Sequence, residues 1–464
     1  MTRSLLKKLA WAPLLIMAAA VFSACGTVSD ARATIQARLL YRKYPTITGP
    51  GGPLTPKQAQ LLLERITSHQ QTPTDLLGRH LALEQALAGA PLVLGNKVTL
   101  LKNAKATYDA MLTAIRGAKS SINLEMYIFS SGPIGQTFAD ALIERQRHGV
   151  QVNVSYDSVG SFGTPDSFFD RMRKSGIAVL EYRPIDPFKT KHGWSLGHRD
   201  HRKMLVVDGR IAFTGGINIS EVYASGLSSR GGNSPQASWR DTDVEIEGPA
   251  VAEFQKIFIT QWNYQEGQLL AVRDYFPKLE ARGNQIVRVI ASVPERFSLI
   301  YVTLISAIVS SQTNIYITDA YFAPDHQILR VLKNAARRGV DVRLLVPSQT
   351  DEPLVVSAAR SHYASLLEAG VKIYEWQGEM LHAKTATMDG VWSTVGTSNL
   401  DWWSIARDNE LNAIVLSHSF GADMDSMFMS DLENSREIEL DQWRHRGLME
   451  RLDETAASLI EPLL

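Results

Sequence analysis

The chain carries one pattern twice, and the repetition extends to polar residues. Ile122–Phe129 is echoed by Ile315–Phe322, with Tyr127 matching Tyr321, and Arg147-His148-Gly149-Val150-Gln151-Val152 returns as Arg337-Arg338-Gly339-Val340-Asp341-Val342. Ser175-Gly176-Ile177-Ala178-Val179 returns as Ala369-Gly370-Val371-Lys372-Ile373. A duplication retained for packing alone would repeat only apolar positions. Helix, Gly-Val step and strand are the signs of a βαβ unit, so each copy predicts an α/β layer with a mixed, largely parallel sheet flanked by helices. The 464 residues divide on this basis into a leader (1–25), a spacer and helical lead-in (26–91), and two tandem domains, 92–275 and 283–462. The spacer contains the run Thr48-Gly49-Pro50-Gly51-Gly52-Pro53, and Pro56 to Ser68 is expected to be helical.

The repeated polar residues carry the chemistry. The first copy contains His201-Arg202-Lys203 with Asp208-Gly209 downstream, the second His382-Ala383-Lys384 with Asp389-Gly390, both H-x-K-x-x-x-x-D-G. Each runs on to a glycine-containing segment that ends in asparagine, Asn218 and Asn399, at the same distance from its histidine. Asp-Gly is a strong signal for a two-residue hairpin turn. Folding about it places Gly216 opposite His201, Thr214 opposite Lys203 and Thr397 opposite His382, so that histidine, lysine and asparagine share one face. That inventory suits phosphodiester exchange. Lys203 and Lys384 supply fixed positive charge, and Asn218 and Asn399 supply hydrogen-bond donors. One neutral histidine attacks phosphorus, and the other, protonated, gives its proton to the departing oxygen. Each ring needs an orienting group. Arg240-Asp241-Thr242-Asp243 and Arg407-Asp408-Asn409-Glu410 occupy matching places, which makes Asp243 and Glu410 the candidates. Asp208 and Asp389, members of the catalytic motif, fall out of step with the His/Lys face, and positioning is their expected part. No cysteine, histidine or carboxylate set has metal-ligand spacing, so no metal and no cofactor are expected.

The first residues read as an export signal. Arg3, Lys7 and Lys8 precede an apolar run, Leu9 to Phe22, too short for an ordinary membrane span. The run closes on Phe22-Ser23-Ala24-Cys25, and Cys25 is the only cysteine. This stretch resembles a bacterial lipobox, which implies lipidation of Cys25 and a lipid-anchored protein in the cell envelope facing the periplasm. Gly26 is not the aspartate of an inner-membrane retention signal, so the outer membrane is favoured; the alternative is an uncleaved anchor in the inner membrane. The formal net charge is zero. A dedicated nucleic-acid binder usually carries a basic excess, so no nucleic-acid partner is expected.

The paired motifs resemble those of the phospholipase D superfamily. The surrounding text is similar to its cardiolipin synthase branch in Tyr321-Phe322-Ala323-Pro324, Phe213 to Asn218, Asn399-Leu400-Asp401 and the segment Phe428 to Trp443. The resemblance covers residues 100–460. It implies two domains packed about a pseudo-two-fold axis with one shared active site, a covalent phosphohistidine, and no metal requirement. It further implies His201 as nucleophile and His382 as acid, an order the residues themselves leave open because the copies are nearly equivalent. The implied activity is phosphatidyl transfer between phospholipids; alternatives are hydrolysis to phosphatidic acid and, less favoured, a nuclease. Phospholipids and a membrane are the expected partners, with an accessory protein a further one. Three features beside the motifs have both a functional and a packing reading: the basic cluster with His192 and His198, the Ser/Gly-rich stretch Ala224–Ala237 as a lid, and Trp402-Trp403 as an apolar wall.

Overall fold

Alternating strand and helix begins where the sequence pattern begins. The computed structural model describes residues 45–67, 78, 81, 89–186, 188, 197–224, 238–294, 298–447 and 457. Cys25 and the leader, His192, and the proposed lid from 225 to 237 lie outside the described residues. In chain order the strands are β1 (Ile47–Gly49), β2 (Gly52–Pro53), β3 (Leu92–Lys102), β4 (Ser121–Met126), β5 (Gln151–Asp157), β6 (Ala178–Tyr182), β7 (Met204–Val207), β8 (Ile211–Gly215) and β9 (Thr242–Glu247). The second copy adds β10 (Gln285–Ser292), β11 (Asn314–Thr318), β12 (Asp341–Pro347), β13 (Lys372–Trp376), β14 (Thr385–Met388), β15 (Trp392–Gly396), β16 (Glu410–Leu416) and β17 (Ser435–Glu437).

Pairing follows the duplication. In the first copy β6, β5 and β4 are parallel neighbours, and β7, β8, β9 and β3 continue antiparallel. The second copy repeats this order as β13, β12, β11, β14, β15, β16, β10. Antiparallel β3 and β10 join the two halves about a pseudo-two-fold, with Val93 opposite Val287. Two α/β domains with mixed sheets are therefore present, as expected from the repeat, but the sheets are not largely parallel. Antiparallel pairings outnumber parallel ones in each copy, because only the three strands linked by helical crossovers run parallel and the hairpins after each motif add antiparallel strands.

The repeated Gly-Val step marks the ends of equivalent helices. Helix Pro133–Arg147 and helix His326–Arg337 run into Gly149 and Gly339, whose φ values of 84° and 93° are left-handed and disfavour any side chain with a Cβ. Val150 and Val340 then turn inward to start the buried strands. Helix His326–Arg337 buries Ile328, Leu329, Leu332 and Ala335 on one stripe, and Asp325 caps it by accepting the Gln327 and Ile328 N–H groups at 3.1 and 3.0 Å.

Each copy has its own core, and a third core belongs to both. Phe254, Phe258 and Trp262 of helix Val251–Tyr264 meet Met424 and Met427 of helix His418–Leu432 across strand residues such as Val206, Val287 and Val395. Burial of such a mixed set makes the halves one packing unit.

The catalytic hairpins differ from the expected register by one residue. Met204, not Lys203, lies opposite Thr214, and Thr385 lies opposite Val395. The Asp-Gly turns are present, with φ of 53° and 61° at Asp208 and Gly209 and 52° and 61° at Asp389 and Gly390. One additional residue after each turn, Arg210 or Val391, is accommodated before pairing resumes. Gly216 and Thr397 are consequently not the partners of the histidines, and the asparagines reach the site from the loops beyond β8 and β15, not by strand alternation.

Candidate active site

Backbone hydrogen bonds that cross between the copies bring the motifs together. The His201 N–H donates to the Asn409 carbonyl at 3.0 Å, and the His382 N–H donates to the Arg240 carbonyl at 2.7 Å. Isolated parallel bridges, Asp200 with Asn409 and Arg240 with Leu381, fix each motif against the segment that precedes the last central strand of the other copy. Arg240 is held in turn by a two-point ion pair with Asp431, at 3.0 and 2.7 Å.

This exchange decides which carboxylate meets which ring. Glu410 Oε1 lies 3.0 Å from His201 Nδ1, and Asp241 Oδ2 lies 2.7 Å from His382 Nδ1. Glu410 is where the sequence placed it; the partner of His382 is Asp241, not Asp243. The reason is register. Gly215 and Gly396 are equidistant from their histidines, and they pair with Asp243 and Asn412, so Asp243 corresponds to Asn412 and Asp241 to Glu410. Asp243 is turned to its own copy, where its carboxylate accepts the Ile217 N–H at 3.1 Å. The Arg-Asp pairs at 240–241 and 407–408 are therefore not equivalent, and the strand pairing of Gly215 and Gly396, which the sequence does not show, is what identifies Asp241. With Nδ1 engaged in both rings, Nε2 is the nitrogen left to meet a substrate.

The lysines stand beside their histidines. Lys203 Nζ donates to the His201 carbonyl at 2.7 Å and lies 5.2 Å from the Tyr127 ring centre; Lys384 Nζ donates to the His382 carbonyl and lies 5.5 Å from the Tyr321 ring. The same tyrosines contact the histidines edge-on, at 4.9 Å for Tyr127–His201 and 5.8 Å for Tyr321–His382. Strand register makes Ala320 the counterpart of Tyr127, so Tyr321 reaches its place from one residue farther on. Asn218 accepts the Ile128 N–H at 3.0 Å and donates to the Tyr223 hydroxyl at 3.1 Å, and that hydroxyl lies 3.1 Å from His382 Nδ1. The Asn399 side chain is buried near Lys384.

Asp208 and Asp389 touch none of this. Asp208 gathers the N–H groups of Lys119, Ser120 and Ser121, and Asp389 those of Gln312, Thr313 and Asn314. Each ties the hairpin turn to the start of the neighbouring strand, a positioning part for both.

The two dyads are electrostatically unlike. Glu410 is deeply buried, which alone would raise its pKa, yet His201, Lys203 and a hydrogen bond from Ser404 hold it below the ordinary carboxylate value. Thr397 donates to its other oxygen. Asp241 has neither hydroxyl donor: the place of Thr397 is taken by Gly216, where a Cβ would fall 2.2 Å from Asp241 Oδ1. Burial pushes Asp241 up to about 7, opposed by Lys384 and the Thr242 N–H. Burial lowers His201, with Lys203 adding to the effect and Glu410 opposing it; burial and both lysines take His382 well below its ordinary value. Lys203 is pushed down to about 7 by burial, against Glu410. Apart from Glu410, the buried acids are held up and the cations held down, as in a pocket prepared for an incoming anion. Tyr223, Ser404 and Asp241 are neighbours of the dyads that motif reading missed, as is Trp239, whose ring centre lies 5.4 Å from that of His382. Of the basic cluster, His198 lies 3.4 Å from Arg407, and the Trp402 ring packs under the Arg407 guanidinium at 5.0 Å.

Known proteins point the same way. A family model described as "Cardiolipin synthase, PLD-like domain" matches residues 111–262 and 304–432, one stretch in each copy. The chain is 35% identical over 406 residues to a cardiolipin synthase of Alkalihalophilus pseudofirmus, covering 87% of this chain and 78% of that one. It is 34% identical over 367 residues to cardiolipin synthase 2 of Bacillus anthracis, covering 78% and 70%. The phosphatidylserine synthase of Haemophilus influenzae has a similar fold, with a TM-score of 0.60 at 12% identity over 82% of this chain and 98% of that one. The duplicated sheet, the paired H-x-K motifs and these matches together place the chain in the phospholipase D-like family, in its cardiolipin synthase branch.

Proposed function

We propose that the protein is a phosphatidyltransferase of cardiolipin synthase type, which moves a phosphatidyl group from one phospholipid to the alcohol of another. The observation that carries this reading is the pair of histidines, each oriented by a carboxylate of the opposite copy, in a chain related to cardiolipin synthases over most of its length. His201 Nε2 attacks phosphorus. Positive charge grows on its ring as the bond forms, and ionised Glu410 at Nδ1 stabilises that charge. The P–O bond to the headgroup breaks on the opposite side, where the His382–Asp241 pair, holding one proton at their Nδ1–Oδ2 contact and a second on His382 Nε2, gives the Nε2 proton to the leaving oxygen. An acceptor hydroxyl then returns a proton to His382 and displaces His201. Lys203 and Lys384, with Asn218 and Asn399, bind the phosphoryl oxygens, and the arrival of the anion restores full charge to the lysines. No step calls for a metal or cofactor.

The site works at a bilayer in this reading. Phe162, Phe188 and Trp403 are 77%, 98% and 39% exposed. Phe162 stands on the turn after β5 beside Ser161, whose hydroxyl donates to the Tyr127 carbonyl at 3.1 Å. Trp403 stands on the short helix Trp402–Ala406 beside Ser404, which donates to Glu410; Phe188 lies beyond the end of β6. Exposed aromatics around a lipid-cleaving mouth suit insertion among headgroups. The Cys25 sequence supports a lipid anchor on the periplasmic side, with the outer membrane favoured. Labelling with a fatty-acid probe tests this: incorporation into wild type and none into Cys25→Ser supports the anchor, and equal labelling rejects it.

The activity is tested by lipid mass spectrometry in a bacterial host without its own cardiolipin synthases. Cardiolipin restored by wild type and not by His201→Ala supports transfer through His201. Phosphatidic acid in its place would make water the acceptor, and no change in either lipid would reject a phosphatidyl substrate.

A further inference from the structure

The residue after each motif histidine differs between the copies, Arg202 after His201 and Ala383 after His382. Arg202 is buried, and its guanidinium donates to two carbonyls of the second copy, that of Ser292 at 3.1 Å and that of Glu410 at 3.4 Å. Those two residues lie opposite one another on the paired strands β10 and β16. Glu410 is also the residue whose carboxylate lies 3.0 Å from His201 Nδ1. Consecutive residues of the first motif thus grip one residue of the other copy at two points, the imidazole at its side chain and the guanidinium at its main chain.

A buried guanidinium needs negative charge beside it. Glu125 Oε1 lies 3.7 Å from Arg202 Nη1, and Asp200 stands next to Glu125. Burial, with the Asp200 carboxylate adding to it, pushes the Glu125 pKa well above its ordinary value, so the two acids share a proton and leave one negative charge opposite Arg202. The second copy is built otherwise. Glu125 pairs with Met204 and Thr318 with Thr385, which makes Thr318 the counterpart of Glu125, while Leu381 and Ala383 replace Asp200 and Arg202. Leu381 belongs to an apolar cluster with Tyr316, Leu345 and Phe428. Ala383 has no side-chain donor to offer Asp241, whose carbonyl accepts from Arg240, its own neighbour in the chain.

Stability does not account for the cluster. Exchanging a whole buried charge group for apolar residues of similar size ordinarily costs a fold little, and the second copy fills the equivalent place with Thr318, Leu381 and Ala383. We propose that Arg202, supported by Glu125 and Asp200, is a positioning residue for the attack on phosphorus, locking Glu410 against His201 so that Nε2 stays in line with the departing oxygen. The inference rests on the phosphatidyl-transfer reading with His201 as the nucleophile. Formation of a P–N bond is strict in its geometry, and a displacement of about 1 Å costs about 100-fold in rate. The side that carries the clamp is the side that forms this bond, and the side that only passes a proton has none.

The first turnover on vesicles of phosphatidyl-p-nitrophenol tests the assignment. His201 Nε2 bonds to phosphorus while nitrophenolate leaves with the electron pair of the P–O bond, and that oxygen is acidic enough to depart without a proton from His382. His382→Ala should therefore keep a rapid first release. Arg202→Met should slow the first release about 100-fold and lower kcat on phosphatidylglycerol vesicles by a similar factor at unchanged KM, because the phosphate-binding lysines are untouched. Glu125→Met/Asp200→Leu/Arg202→Met, which removes every charge of the cluster, should fold in urea titrations like wild type and show the same slow release. A rapid first release in either folded variant overturns the assignment. Should Arg202→Met fail to fold, the triple variant decides; if that also fails, the cluster serves stability and the assignment is again overturned. No nitrophenolate from wild type is a different result, which removes the phosphatidyl-transfer reading together with this inference.

Discussion

Glu410 of the second copy lies 3.0 Å from His201 of the first, and Asp241 of the first lies 2.7 Å from His382 of the second. Each half therefore holds a histidine that is complete only when the other half is docked. The shared core and the joined strands β3 and β10 are what keep the two dyads in register.

The identity of the orienting carboxylates can be checked directly. Glu410→Gln and Asp241→Asn should each lower kcat by about 100-fold or more, because a positioned acid–base group is worth roughly that much. Asp243→Asn should have little effect on kcat, since burial raises the Asp243 pKa well above the ordinary value and its contact is with the Ile217 N–H. Equal losses in Asp243→Asn and Asp241→Asn, measured on proteins of matched stability, would contradict the assignment.

The pH dependence of kcat/KM should be bell-shaped. His201 and His382 are both lowered, so the acid limb, where the attacking ring becomes protonated, should lie below the ordinary histidine value of 6.5. Lys203 is pushed down to about 7, so its charge is present below that pH and is lost above it, which sets an alkaline limb in the free enzyme. Lys203→Arg keeps its charge throughout, and its profile should lose that limb even if the rate is lower. An alkaline limb unmoved by the substitution would assign it to another group.

Thr397 and Ser404 distinguish the two dyads by keeping Glu410 ionised. Removing one hydroxyl, in Thr397→Val or Ser404→Ala, leaves a buried carboxylate short of a donor, at a cost of about 1–3 kcal/mol. The Glu410 pKa should rise, and the acid limb of the profile should move to higher pH. A reduced rate with an unmoved profile would mean that the hydroxyls serve packing alone.

Asp208 and Asp389 should report on stability more than on chemistry. Asp208→Ala strands three N–H groups and places a Cβ residue without a local acceptor at φ 53°. A loss of about 1–3 kcal/mol is expected in urea denaturation, with kcat per folded molecule close to wild type. A large fall in kcat at full stability would give the aspartate a chemical part.

Because every proposed step uses side chains of this chain, incubation with a chelator should leave the rate of phospholipid turnover unchanged; loss of activity restored by a divalent cation would require a different site chemistry.

The sequence by itself determined a good deal: the duplication, the α/β layers, the Gly-Val helix ends at Gly149 and Gly339, and the histidines, lysines and asparagines of the paired motifs. These are local properties, set by period, turn chemistry and spacing within a short stretch of chain. What tertiary structure decided is everything that crosses between the copies. The extra residue after each Asp-Gly turn changed which residues face the histidines, and the pairing of Gly215 with Asp243 put Asp241, not Asp243, beside His382. Tyr223 gained its contact with His382 across the copies, whereas Thr397 and Ser404 meet Glu410 within the second copy, through the folding of the loop after β15. Spacing within one copy holds no information about which carboxylate of the other is nearest, because that distance is fixed by the packing of two sheets about a shared core and not by the chain between them.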